Sequence, residues 1–176
     1  AKMNEAFALN NAKKTAEALD AFLLVGRNTE QQRNEVEHQV YVCSQTMACM
    51  CYETLGRYEE AYLLAKKLMS GGLTEKEKND VAHLYAMNGY MYATSFMHRD
   101  NRQLVKARTI LEDIMPYADG KVREYVLPKI PLSWYFEGAE YHLSQQYDKA
   151  LACYQNALKG FQEQRRVTDE ISVLKQ

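Results

Sequence analysis

A triplet of small or apolar residues at i, i+4 and i+7 returns again and again along this chain, and that return limits the possible folds more than any other feature. It reads Ala18/Phe22/Val25, then Ala61/Ala65/Leu68, Ala107/Leu111/Ile114 and Ala150/Tyr154/Ala157, with the anchoring alanines 43, 46 and 43 residues apart. Residues so spaced lie on one stripe of an α-helix, so each block predicts a helix with one buried seam. A second series interleaves with the first: Thr29-Glu30, Thr74-Glu75 and Thr168-Asp169, with Asp119 filling the gap between the last two. Threonine or aspartate there can accept the orphan amide hydrogens at a helix start. Gln32 and Glu77, three residues after Thr29 and Thr74, complete a capping box in both cases. Each period therefore predicts two helices, one opened by a cap and one carrying the alanine seam.

The helices expected from this pattern cover about 4–26 (with a break near Asn10-Asn11), 30–55, 58–69, 75–97 and 102–117. A third long helix ends near Ser144; its start stays open, because Pro128 and Pro131 must break or kink anything beginning near Gly120. The next covers 147–163, and a last helix is expected to begin at Thr168. Only 8 glycines and 3 prolines argue against a turn-rich β architecture, while 13 tyrosines and 8 methionines suit packed helix–helix seams with adaptable contact surfaces.

The charge balance, 22 basic against 23 acidic residues, lacks the basic footprint of a nucleic-acid binder, and Lys13-Lys14, Lys66-Lys67 and Arg165-Arg166 are isolated pairs. The longest strongly apolar run, Ala21 to Val25, is far too short to cross a bilayer, and no signal-peptide pattern opens the chain, so no membrane insertion is expected. Position 1 is not Met, which reads as a processed N-terminus or a domain cut from something larger. His38, His83, His98 and His142 form no ligand-like or nucleophile-like motif. Cys49 and Cys51 would point about 200° apart on a helix and cannot share a metal. With Cys43 and Cys153 they read as buried, reduced, hydrophobe-like residues in a reducing compartment, so the expected localisation is cytoplasmic, with a soluble extracytoplasmic sensor domain as the alternative. Gly71-Gly72 suits a helix end better than a phosphate loop, and Glu59-Glu60 and Glu112-Asp113 are ordinary solvated carboxylates. The expectation is a non-enzymatic protein without cofactor or metal.

Trp134-x-x-x-Gly138-x-x-Tyr141, followed by Tyr147, Ala150, Tyr154 and Ala157, resembles the tetratricopeptide repeat. An earlier unit matches with Cys49 as the small residue, then Tyr52, Gly56, Tyr58 and Ala61. The middle unit has Tyr85, Gly89 and Tyr92, but Ala107 falls six residues late. The family's usual unit is 34 residues, and the longer spacing here lengthens the first helix of each repeat at its N-terminal end. The resemblance implies an all-α fold, an α-solenoid of antiparallel helix-turn-helix repeats. It would form a single repeat domain over 1–176, with units at about 1–28, 29–73, 74–118 and 119–167 and the start of another at 168–176.

The same resemblance implies a groove lined by Cys43, Thr46, Met50 and Glu53 in the first unit, His83, Ala86, Tyr90 and Ala93 in the second, and Leu132, Tyr135, Ala139 and His142 in the third. Thr46, Met50, Glu53, His83, Tyr90, Tyr135 and His142 are the residues expected to meet a partner. Their aromatic and thioether character suits an apolar or aromatic-rich protein or peptide segment; the groove offers no cation for an acidic C-terminal tail. Long repeats of this kind are similar to those in bacterial regulatory proteins, which implies a sensing or interaction module of a larger protein. The alternative is a self-association scaffold, a homo-oligomer with no ligand.

Overall fold

The computed structural model describes residues 2–11, 13–98 and 102–174, and side chains through 165. Among them the fold is all-helical, without a strand. The helices are α1 (Lys2–Asn11), α2 (Thr15–Thr29), α3 (Glu35–Thr54), α4 (Tyr58–Met69), α5 (Glu75–Ser95), α6 (Leu104–Ile114), α7 (Gly120–Val126), α8 (Lys129–Leu143) and α9 (Tyr147–Leu174). A 3-10 turn, Met115–Tyr117, closes α6. The chain divides into two compact units, Ala1–Gly89 and Tyr90–Gln176, and the division falls inside α5.

In the first unit α1 packs on α2, α2 on α3 and α3 on α4. The seam residues Ala18, Phe22, Ala61, Ala65 and Leu68 are buried, as their spacing predicts. Phe22 meets the Phe7 ring edge-on at 5.4 Å between centroids, and Tyr62 of α4 stacks on Tyr85 of α5 at 5.4 Å. The break near Asn10-Asn11 is present: α1 ends at Asn11, and Lys13 takes a left-handed φ of 59° before α2 begins. At the end of α3, Gly56 adopts φ 70°, a conformation that costs glycine nothing. That turn lets Arg57 N–H reach the Tyr52 carbonyl at 2.8 Å, satisfying an orphan acceptor.

Two expected helix starts move. Thr29 does not cap α3; it is the last residue of α2, and its hydroxyl donates back to the Val25 carbonyl at 3.0 Å. Gly26 does not end α2, which runs on to Thr29, and the turn comes at Gln32, with φ 47°. Asn34 caps α3 instead: its extended backbone (φ −153°, ψ 170°) presents Oδ1 to the Glu37 amide at 2.9 Å. The Glu37 carboxylate in turn accepts from the Arg33 amide, one residue before the cap, at 3.0 Å, so a variant of the capping box stands five residues downstream of the expected place. Thr168 likewise starts no helix. It lies inside α9, because the stretch after Glu163 holds no glycine or proline to end the helix begun at Tyr147. The Thr74 box does form: Glu77 accepts from the Thr74 amide at 2.8 Å and hydroxyl at 2.7 Å, and donates its own amide to Thr74 Oγ1 at 3.4 Å.

In the second unit α8 is the hub, packing on α6, α7 and α9. Pro128 takes the N-cap of α8 and Pro131 its first turn, where a missing N–H removes no helical bond; the break from α7 that the prolines predict is therefore real. Asp119, with extended backbone, stands at the N-cap of α7. Ala107, Leu111 and Ile114 of α6 and Ala150 and Ala157 of α9 are buried on the expected seams. Gly138 sets the α8–α9 distance. A Cβ there would lie 2.9 Å from the Tyr154 ring and 3.2 Å from Cys153 Cβ, so only glycine admits that ring. Arg108 of α6 is buried against α8. Its Nη2 donates to Glu137 at 2.8 Å and its Nη1 to Ser133 Oγ at 3.3 Å, with the guanidinium 3.3 Å from the Trp134 ring centroid.

Candidate functional site

Glu35, Gln39, Val42 and Thr46 fall at i, i+4, i+7 and i+11 along α3, a spacing that aligns them on one face. The N-terminal turns of α5 place Lys76, Glu77, Asp80 and Val81 opposite. Between the two helices, within the first unit, lies a cleft of about 540 Å³ whose lining also includes His38, Cys43, Met47 and Thr74. Val42 and Val81 are 7% and 1% exposed and form an apolar floor; the charged and amide side chains form the rim.

His38 ties the two walls together. Its Nε2 lies 3.2 Å from Glu77 Oε2, and its Nδ1 meets the Gln32 side-chain amide. The Thr74 hydroxyl and amide, and then His38, hold the Glu77 carboxyl below its ordinary value of 4.5. Glu77 is thus bonded to both the α5 cap and α3. Beside the cleft, Lys67 and Glu30 pair at 2.7 Å on an exposed surface, a contact of little energetic weight.

Of the residues expected to line a groove, Cys43 and Thr46 are in this cleft. Met50 (46% exposed) and Glu53 continue along α3 toward its C-terminus, and His83 lies exposed on α5. Ala86 and Ala93, carried over as lining, are fully buried and present no surface. Glu53 accepts at 3.5 Å from Asn88, a buried side chain whose Oδ1 has no hydrogen-bond partner among the described residues.

Tyr90, Tyr135 and His142 belong to the second unit. Tyr90 stacks on Tyr125 at 5.9 Å; Tyr135, half exposed, leans on Tyr154 at 5.8 Å; His142 meets the Tyr147 ring edge-on at 5.5 Å. Leu132 and Ala139 are half-buried. The structure therefore brings Cys43 and Thr46 together with residues the sequence did not single out: Glu35, Gln39, Lys76 and Asp80 on the rim and Val42 and Val81 on the floor. The one available signal was the N-terminal lengthening of the first helices, which is where these residues fall.

The cysteines are not activated. Burial pushes the thiols of Cys43, Cys51 and Cys153 up, and that of Cys49 to about 12, away from the thiolate a nucleophile or metal ligand needs. Cys49 is fully buried and lies 3.7 Å from the Ala61 carbonyl of α4, the close approach its small-residue position predicts; Cys43, by contrast, is exposed. No group of three or more His, Cys, Asp or Glu among the described residues could hold a metal ion, and none of the described helices is long and apolar enough to cross a membrane. No family model, curated protein or solved structure matches the chain.

Proposed function

We propose that this chain is a non-enzymatic protein- or peptide-binding scaffold, a helical-hairpin solenoid of the tetratricopeptide type that serves as the sensing module of a larger bacterial regulatory protein. The single observation that carries the binding role is the cleft between α3 and α5. Its floor is apolar, its walls are rigid helices, and its rim is braced by the His38–Glu77 and Thr74–Glu77 bonds. Such a site suits one or two apolar or aromatic side chains of an extended segment, with rim groups left to meet its backbone. The upward-shifted thiols favour binding over nucleophilic chemistry. The repeat assignment rests on the buried alanine seams and the glycine and cysteine contacts at the small-residue positions.

A displayed library of random peptides, selected on the immobilised chain, tests this reading. Selection should converge on sequences rich in apolar and aromatic residues, with micromolar affinity on titration. Thr46→Arg, which extends a long charged side chain into the cleft, should weaken the selected peptides by at least about tenfold. Peptides ending in an acidic tail should not compete, because three rim carboxylates face one lysine. Convergence on acidic tails, or selected peptides indifferent to Thr46→Arg, would refute the proposal.

A further inference from the structure

Helix α9 carries two apolar stripes with different fates. The small residues Ala150, Cys153 and Ala157 are buried, and the α8–α9 contact uses that face. About 100° around the helix, Tyr147, Leu151, Leu158 and Phe161 are 61, 58, 58 and 39% exposed. Tyr154, half-buried on Tyr135, fills the gap, so the spacing is four, three, four, three. Single exposed hydrophobics are ordinary; a continuous strip about 21 Å long on one helix is not.

We propose that this strip pairs antiparallel with the same strip of a second copy of the chain. Four-three spacing is the spacing of a helix that packs knobs into holes against another helix. Set antiparallel about a two-fold axis near residue 156, Leu151 opposes Phe161 of the second copy, and Tyr154 opposes Leu158. The next layer places Tyr147 against Arg165, an exposed residue that continues the strip by the same four-residue step. Its guanidinium then reaches both the Tyr147 ring face and the adjacent Asp148 carboxylate, and symmetry repeats the arrangement at the other end. The register thus sets apolar side chains opposite one another and pairs opposite charges at both ends. Two heptads bury less than the roughly 800 Å² per partner of a stable specific interface, so the dimer is weak, with half-association on the order of tens of micromolar. This interface does not depend on the cleft of the first unit.

Sedimentation velocity of the whole chain, from about 1 to 300 µM, tests it. The wild-type chain should pass from monomer to dimer across that range. Leu151→Glu/Leu158→Glu should remain monomeric at every concentration while keeping its helical circular dichroism. Asp148→Arg and Arg165→Asp should each weaken association at least about fivefold, and the exchange of both charges should restore it to within about twofold of wild type. A wild-type chain that stays monomeric overturns the proposal and leaves the strip to another occupant. A dimer indifferent to the leucine changes overturns it by placing the contact elsewhere, and failure of the charge exchange to restore association overturns the antiparallel register.

Discussion

Arg108 gives the sharpest test of how the second unit is held together. The guanidinium and the Glu137 carboxylate are 8% and 15% exposed, and they meet at 2.8 Å with Ser133 and the Trp134 ring completing the guanidinium's surroundings. Arg108→Met keeps most of the aliphatic volume but leaves Glu137 as a nearly buried charge without its cation. Breaking a buried pair from one side costs about 3–5 kcal/mol. Because 15% exposure lets some water reach Glu137, the lower end, about 3 kcal/mol, is the expected loss. That corresponds to a fall in melting temperature of at least about 6 °C. Removing both charges with Arg108→Met/Glu137→Met should return most of the loss, because a well-packed apolar pair replaces a well-paired ionic one at little net cost. The assay is urea unfolding followed by the fluorescence of Trp134, the only tryptophan in the chain, and by far-ultraviolet circular dichroism. A loss below about 1 kcal/mol for Arg108→Met, or a coupling in the double-mutant cycle below about 0.5 kcal/mol, would refute the reasoning.

Other consequences are as direct. Asn34→Ala should cost about 1 kcal/mol and fray the start of α3, while Thr29→Ala should cost much less, since Thr29 only back-bonds within α2; equal losses by chemical denaturation would return the cap to Thr29. A thiol reagent on the native chain should modify exposed Cys43 first and Cys49 last, and Cys49→Phe should cost about 1–3 kcal/mol by overpacking against α4; fast Cys49 labelling or an unchanged melting point would show that the helix register is wrong. The lowered Glu77 carboxyl contributes stability that is complete above its ordinary 4.5 and is lost as the pH falls through its folded value. Glu77→Gln should therefore flatten the acid arm of the stability profile, and an unchanged arm would show that the Thr74 and His38 bonds carry no weight.

The alanine seams were legible because i, i+4, i+7 spacing is a property of one helix and needs no knowledge of its neighbours. Ala18, Ala61, Ala107 and Ala150 all go inside for that reason. The starts of α3 and the end of α9 were less legible. Thr29 carries the right side chain for a cap, but Asn34 also does, and only the conformation of the connecting turn decides between them. Thr168 carries it too, inside a stretch that nothing interrupts. The cleft was hardly legible at all. His38 and Glu77 are 39 residues apart in sequence; His38 reads there as a histidine outside any motif and Glu77 only as the capping partner of Thr74, until α3 and α5 lie side by side. Glu137 was hidden in the same way, its partner Arg108 being 29 residues earlier on another helix.

The most direct test of the central claim is amide hydrogen exchange of the chain with and without a peptide selected from the library. If the cleft between α3 and α5 is the binding site, added protection should concentrate in 35–47 and 74–81 and should disappear in Thr46→Arg. Protection confined to other segments, or binding that slows exchange nowhere in those two stretches, would contradict the assignment of this cleft as the surface through which the protein works.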